Sequence, residues 1–288
     1  MFMKRIIKNS LLLLLAGSRM QAITKESLEK MFKKPHPFFY DLGVKVIASK
    51  RPKADVMICC HGYGHSNKIA DILNGVGIIE DHIISFNFPD FKCIEKGYDP
   101  KQCSFGSINE LLPLLYVLKA CIENRITKIN IYGFSAGGGA IINALAVLNQ
   151  NIYDIDLQKS GIDSACKQKI LKAIEKGHII LDCPLKSLEE IIELRGPDPE
   201  LLILAKQYAQ NGMRPIDTLE KLKGLPLTIL LHFQNPDEII GNKDDQKFIQ
   251  VLKRVNHKGK TEVVIGKDGG HNSFHHALWK KYKTWLNQ

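Results

Sequence analysis

Apolar residues in this chain fall into short continuous runs. Between the runs lie mixed stretches whose apolar positions recur at helical spacing. The runs at 55–60, 81–86, 128–134, 177–182 and 227–233 predict strands covered on both faces, because a strand with one wet face alternates instead. A strand is also predicted over 44–48, which alternates, and over 261–265. Helices are predicted over 24–32, capped by Thr24, and over 68–73, 107–123, 136–148, 188–194, 201–210, 246–255 and 277–286. Pro113 lies inside the third of these and predicts a kink there. Strands alternating with helices predict an α/β protein: one mainly parallel central sheet with helices on both faces. No long or biased linker divides 23–288. The polar, irregular stretch 151–176 is the place for a small cap insertion.

In such a sheet the chemistry gathers at the carboxyl ends of the strands. The run ending at Phe134 is followed by Ser135, set in the sequence Gly133-Phe134-Ser135-Ala136-Gly137, and then by a small-residue helix start. This G-x-S-x-G between strand and helix predicts a sharp turn that exposes the serine hydroxyl. A hydroxyl is a poor nucleophile at neutral pH and needs a base, for which histidine suits. His271, in the glycine-rich loop after the last strand, can serve. A carboxylate must orient that imidazole. Asp237, after the strand 227–233, is the expected acid, with Glu238 and Asp268 as alternatives. Two N–H donors are needed for an oxyanion. Ala136, directly after the serine, supplies one, and Tyr63, in the glycine-flanked turn His61-Gly62-Tyr63-Gly64, supplies the other.

With these motifs in this order, the chain resembles the α/β-hydrolase superfamily, near its cap-poor esterase, lipase and peptidase-like members. The resemblance covers nearly all of 44–288. It implies a serine hydrolase that cleaves an ester, thioester or amide through an acyl-enzyme. Ser135 would be the nucleophile, His271 the base and Asp237 the acid, with Tyr63 and Ala136 as the oxyanion hole. In the family a histidine at the place of His61 holds its loop. A catalytically silent scaffold of the same fold, acting as a binding protein, is the alternative reading.

Composition narrows the rest. The formal charge of +10 comes from lysines scattered singly and in pairs, so a solvated surface is expected and a nucleic-acid partner is not. The expected partner is a small acyl or peptidyl substrate. His61, His65, His271 and His275 have no accompanying acidic set, so no metal or other cofactor is expected. Lys4, Arg5 and Lys8 precede a leucine run at 11–15, and Ala22 offers a cut. Residues 1–22 therefore read as a signal peptide for export, with an apolar run too short to span a bilayer. Among the seven cysteines, Cys93 and Cys103 are the pair expected as a disulfide.

Overall fold

The computed structural model describes residues 24–32, 43–51, 55–63, 65–77, 79–88, 106–197, 199–211, 213–267, 269–271 and 276–287. The leader, the Cys93–Cys103 pair and Asp268 lie outside them. Strands are β1 (Lys45–Ile47), β2 (Val56–Cys60), β3 (His82–Ser85), β4 (Ile129–Phe134), β5 (Ile179–Asp182), β6 (Thr228–Gln234) and β7 (Lys260–Gly266). Helices are α1 (Lys25–Met31), α2 (Ile69–Gly75), α3 (Ile108–Glu123), α4 (Ala136–Asn149), α5 (Asp154–Lys159), α6 (Ser164–Glu175), α7 (Leu188–Arg195), α8 (Pro199–Asn211), α9 (Pro215–Thr218), α10 (Asp245–Val255) and α11 (His276–Leu286).

The strands form one seven-stranded sheet in the order β1-β3-β2-β4-β5-β6-β7. Only the β1–β3 pairing is antiparallel among these neighbours; the others are parallel. Strands β2 to β5 are buried throughout, as their unbroken apolar runs require. The two-residue alternation still sorts their side chains between two cores. Val56, Ile58 and Cys60 join a core with residues of α3, α4, α6 and α10, while Met57 and Cys59 join another with residues of α2 and α11. Each aliphatic or aromatic side chain fully buried there contributes about 1.5–3 kcal/mol.

Helix α1 begins with a capping box, in which Thr24 and Ser27 satisfy each other's backbone N–H groups. Helix α3 carries Pro113 buried inside it. The stretch 151–176, expected to hold a small cap, is a 3-10 turn followed by α5 and α6. Helix α6 packs against α3, α4 and β4, with Ile170, Leu171, Ala173 and Ile174 in the first core, and so belongs to the helical layer flanking the sheet.

The register lines up the carboxyl ends of the central strands. Cys60 lies opposite Gly133, Phe134 opposite Asp182, Asp182 opposite His232, and Gln234 opposite Gly266. The loops leaving β2, β4, β5, β6 and β7 therefore emerge along one rim.

Candidate active site

Ser135 is the single residue between β4 and α4. Its φ is 51° and its ψ −118°. A side chain at positive φ costs roughly 1–2 kcal/mol, so the surrounding structure must impose it. The Ser135 N–H donates to the Asp182 carbonyl at 2.9 Å, and the Ser135 carbonyl accepts from the N–H of Leu185 at 2.8 Å. The first turn of α4 then closes on the same carbonyl through the N–H groups of Gly138 and Gly139. The glycines have a steric cause. A Cβ on Gly133 would lie 2.3 Å from Ile141 Cδ1, and one on Gly137 would lie 2.4 Å from the Cys60 carbonyl oxygen. Helix α4 can pack this close to β4 and β2 only without those side chains.

The residues expected as acid and base come from the loops after β6 and β7. Asp237 Oδ2 accepts from His271 Nδ1 at 2.8 Å, with both side chains buried. The other carboxylate oxygen, Oδ1, accepts the N–H groups of Ile239 at 3.0 Å and Ile240 at 2.9 Å. The Asp237 N–H in turn donates to Asn242 Oδ1 at 2.8 Å. Asp237 is thus fixed from three sides. A carboxylate at Nδ1 keeps the imidazole proton on that nitrogen and leaves the lone pair on Nε2. The neighbouring Glu238 does something else: both its oxygens accept the backbone N–H of His271, each at 3.1 Å. Gly270 makes room for this, because a Cβ there would lie 2.2 Å from Glu238 Oε1. The ring of Phe134, directly before Ser135, lies 5.0 Å from the His271 ring, centroid to centroid.

The turn after β2 reaches the serine from the other side. A Cβ on Gly62 would lie 3.1 Å from Ser135 Cβ. His61 pins this turn: Nδ1 lies 2.8 Å from the Gly62 carbonyl oxygen, and Nε2 accepts the Phe88 N–H at 3.0 Å. Both ring nitrogens are thus engaged in holding the turn. Tyr63 sits exposed on the same turn. Ala136 is the first residue of α4, so its N–H has no acceptor within the helix. The structure therefore brings Tyr63, Ser135, Ala136, Asp237 and His271 to one end of the sheet.

Three features were not legible beforehand. One is the backbone hold of Glu238. Another is a buried clamp on the acid loop. Lys186 Nζ lies 2.5 Å from Asp245 Oδ1 and 3.1 Å from Glu190 Oε2, and donates to the Gly241 carbonyl at 2.9 Å. Asn242 ties the same loop to the Gln234 carbonyl and to Asp245. The third is a second aspartate–histidine pair. Asp182 accepts from His232 Nδ1 at 2.7 Å and from the Tyr132 hydroxyl at 2.6 Å. Burial works against the Asp182 charge, yet these hydrogen bonds and the imidazole hold its carboxyl below the usual range. A signal for this pair existed in the alternation, since Tyr132, Asp182 and His232 share sheet parity. Pairing them needed the register.

No protein-family model matches the chain, and no curated protein matches it in sequence. Solved structures do share its fold. A carboxylesterase from Lactobacillus plantarum aligns with a TM-score of 0.56 at 13% identity, over 85% of this chain and 88% of that one. An esterase from Pyrococcus furiosus aligns with a TM-score of 0.52 at 15% identity, over 94% and 98%. A lipase-esterase related protein from Clostridium acetobutylicum aligns at 0.52 and 12% identity, over 84% and 99%. At such identities the likeness concerns the path of the backbone. Together with the seven-stranded sheet, it gives this chain an α/β-hydrolase-like fold.

Proposed function

We propose that this protein is a serine hydrolase acting on carboxylic esters, with thioesters and amides as related substrates. One observation carries the reading: a serine held at positive φ between strand and helix, on the same rim as a histidine whose Nδ1 is bound by a buried aspartate. Ser135 Oγ attacks the acyl carbon as His271 Nε2 takes its proton. The tetrahedral oxyanion is received by the N–H groups of Tyr63 and Ala136, where fixed donors are worth more than in water. Collapse expels the alcohol, which takes the proton from His271, and leaves an acyl-serine. Water, activated by the same imidazole, then releases the acid. Asp237 holds the imidazole through Nδ1 and stabilises the imidazolium in both steps. The esterase names of the structural neighbours favour esters as the first substrates to try.

The test is fluorophosphonate labelling with hydrolysis of a panel of acyl esters. The wild-type chain should take one label per chain and hydrolyse at least one ester. Ser135→Ala should lose both while its circular dichroism stays native. An unlabelled, inactive wild type would leave the silent scaffold as the better account. The proposal includes export through residues 1–22: mass spectrometry of the native protein should find a chain beginning near Ile23, and an intact leader on cytoplasmic protein would refute it.

A further inference from the structure

Cys183 directly follows β5 and takes no part in the proposed hydrolysis. Its φ is 44°, a conformation that L side chains rarely adopt. Its N–H donates to the His232 carbonyl at 2.9 Å, which helps hold it there. The side chain is buried, with Sγ 3.8 Å from His232 Nδ1. Sγ also forms a group with one oxygen of Asp237 and one ring nitrogen of His271, all three atoms within 4.8 Å of one another. Backbone strain of this kind collects at functional positions. Burial, with the charges of Asp182 and Asp237, pushes the thiol well above its ordinary pKa, so it is no nucleophile at neutral pH.

We propose that Cys183, Asp237 and His271 form a site for a thiophilic divalent cation such as Zn²⁺ or Cd²⁺, and that the bound ion silences His271. The donor set is one thiolate, one carboxylate and one imidazole, the mix that zinc accepts. With Zn²⁺ the first shell is electrically neutral, which removes the penalty of burying an unpaired thiolate. Zinc–ligand lengths of about 2.0–2.3 Å place tetrahedral donors roughly 3.3–3.6 Å apart, so closing the group takes side-chain shifts of up to about 1 Å and replaces the 2.8 Å hydrogen bond between Asp237 and His271. The Cys183 proton leaves as the ion enters, so affinity rises with pH. Asp182, Cys183 and His232 form a second group of the same size. Cys183 is common to both groups, so the histidine distinguishes them: an ion in the second would be held by His232 and would leave His271 unbound. This site departs from the sequence reading, which named no metal ligand. Its binding half stands on geometry, and its inhibitory half rests on His271 being the base.

The test titrates the full chain with Cd²⁺ and follows the ultraviolet thiolate-to-cadmium band. One chelator-reversible ion per chain is expected. Cys183→Ala and Cys183→Ser should abolish the band. They should weaken binding by more than the roughly 10–100-fold that changes behind the first shell cost. His271→Gln should weaken binding too, and Ser135→Ala should leave it intact. Ester hydrolysis should fall as the band grows, and in Cys183→Ala it should persist at the same Cd²⁺ concentration. Absence of a band, a band that survives Cys183→Ala, or a band lost with His232→Gln but kept with His271→Gln would overturn the site. Full hydrolysis by the saturated wild type would overturn the silencing. If the band behaves as expected in a protein with no esterase activity, the metal site stands and the hydrolase reading falls.

Discussion

Two adjacent carboxylates divide one histidine between them: Asp237 binds the His271 ring, and Glu238 binds its backbone N–H. Their substitutions should therefore differ in kind. In the proposed mechanism Asp237→Asn removes the charge that stabilises the imidazolium and can invert the tautomer, so kcat for an ester substrate should fall by up to about 10⁴. Glu238→Gln keeps an oxygen that accepts the same N–H, so kcat should fall by roughly tenfold or less. Steady-state kinetics on natively folded variants decides this, and a crippled Glu238→Gln beside a mild Asp237→Asn would exchange the two roles. Asp237 was legible because an acid after a strand and a proline has few places to go. The task of Glu238 was not, since sequence carries no direction for a side chain. Asp182 and His232, which are 50 residues apart, were equally opaque until the strand register set them side by side.

At the scale of elements, the elbow depends on how closely α4 approaches β2, and the acid loop depends on one buried cation. Gly137→Ala places a methyl against the Cys60 and His61 carbonyl oxygens, two backbone atoms that cannot swing aside. Overpacking of this kind costs about 1–3 kcal/mol. Denaturant unfolding should show that loss, and fluorophosphonate labelling should slow as Ser135 shifts. Lys186→Met leaves Glu190 and Asp245 facing each other with no cation between them. Breaking a buried pair costs about 3–5 kcal/mol, and urea midpoints should fall accordingly. The strands and their order along the chain were readable, because unbroken apolar runs can only be covered on both faces. Their spatial order was not, since β3 enters between β1 and β2 through contacts that leave no local trace. Nor was the Lys186 clamp legible, because a lysine in a loop reads as solvated until burial shows otherwise.

Across the whole molecule the clearest pH dependence comes from Glu110. It is buried in α3, where it accepts from the Gly106 N–H at 2.7 Å and from the Tyr208 hydroxyl of α8 at 3.0 Å. Burial outweighs these hydrogen bonds and lifts its pKa from 4.5 to about 7. The folded form therefore holds a proton that the unfolded chain has already lost between those values. Its stabilising contribution is complete below pH 4.5 and disappears as pH rises through about 7. Relative to Glu110→Gln, the wild type should lose about 3 kcal/mol across that window, as measured by urea unfolding at several pH values. Parallel curves for the two proteins would remove Glu110 as the source. The glycines that let α4 approach β2 also bear on timing. Helix α4 opens Ala136-Gly137-Gly138-Gly139, and each interior glycine weakens a helix by about 1 kcal/mol relative to alanine. A first turn is the costly step of helix formation, so this one cannot start by itself. It must wait for the sheet to dock beside it. During refolding, the proposed acyl transfer should then return last, in step with fixed aromatic packing and behind the bulk of the backbone signal. A growing chain that carries its serine early should stay chemically quiet until the residues far behind it have arrived.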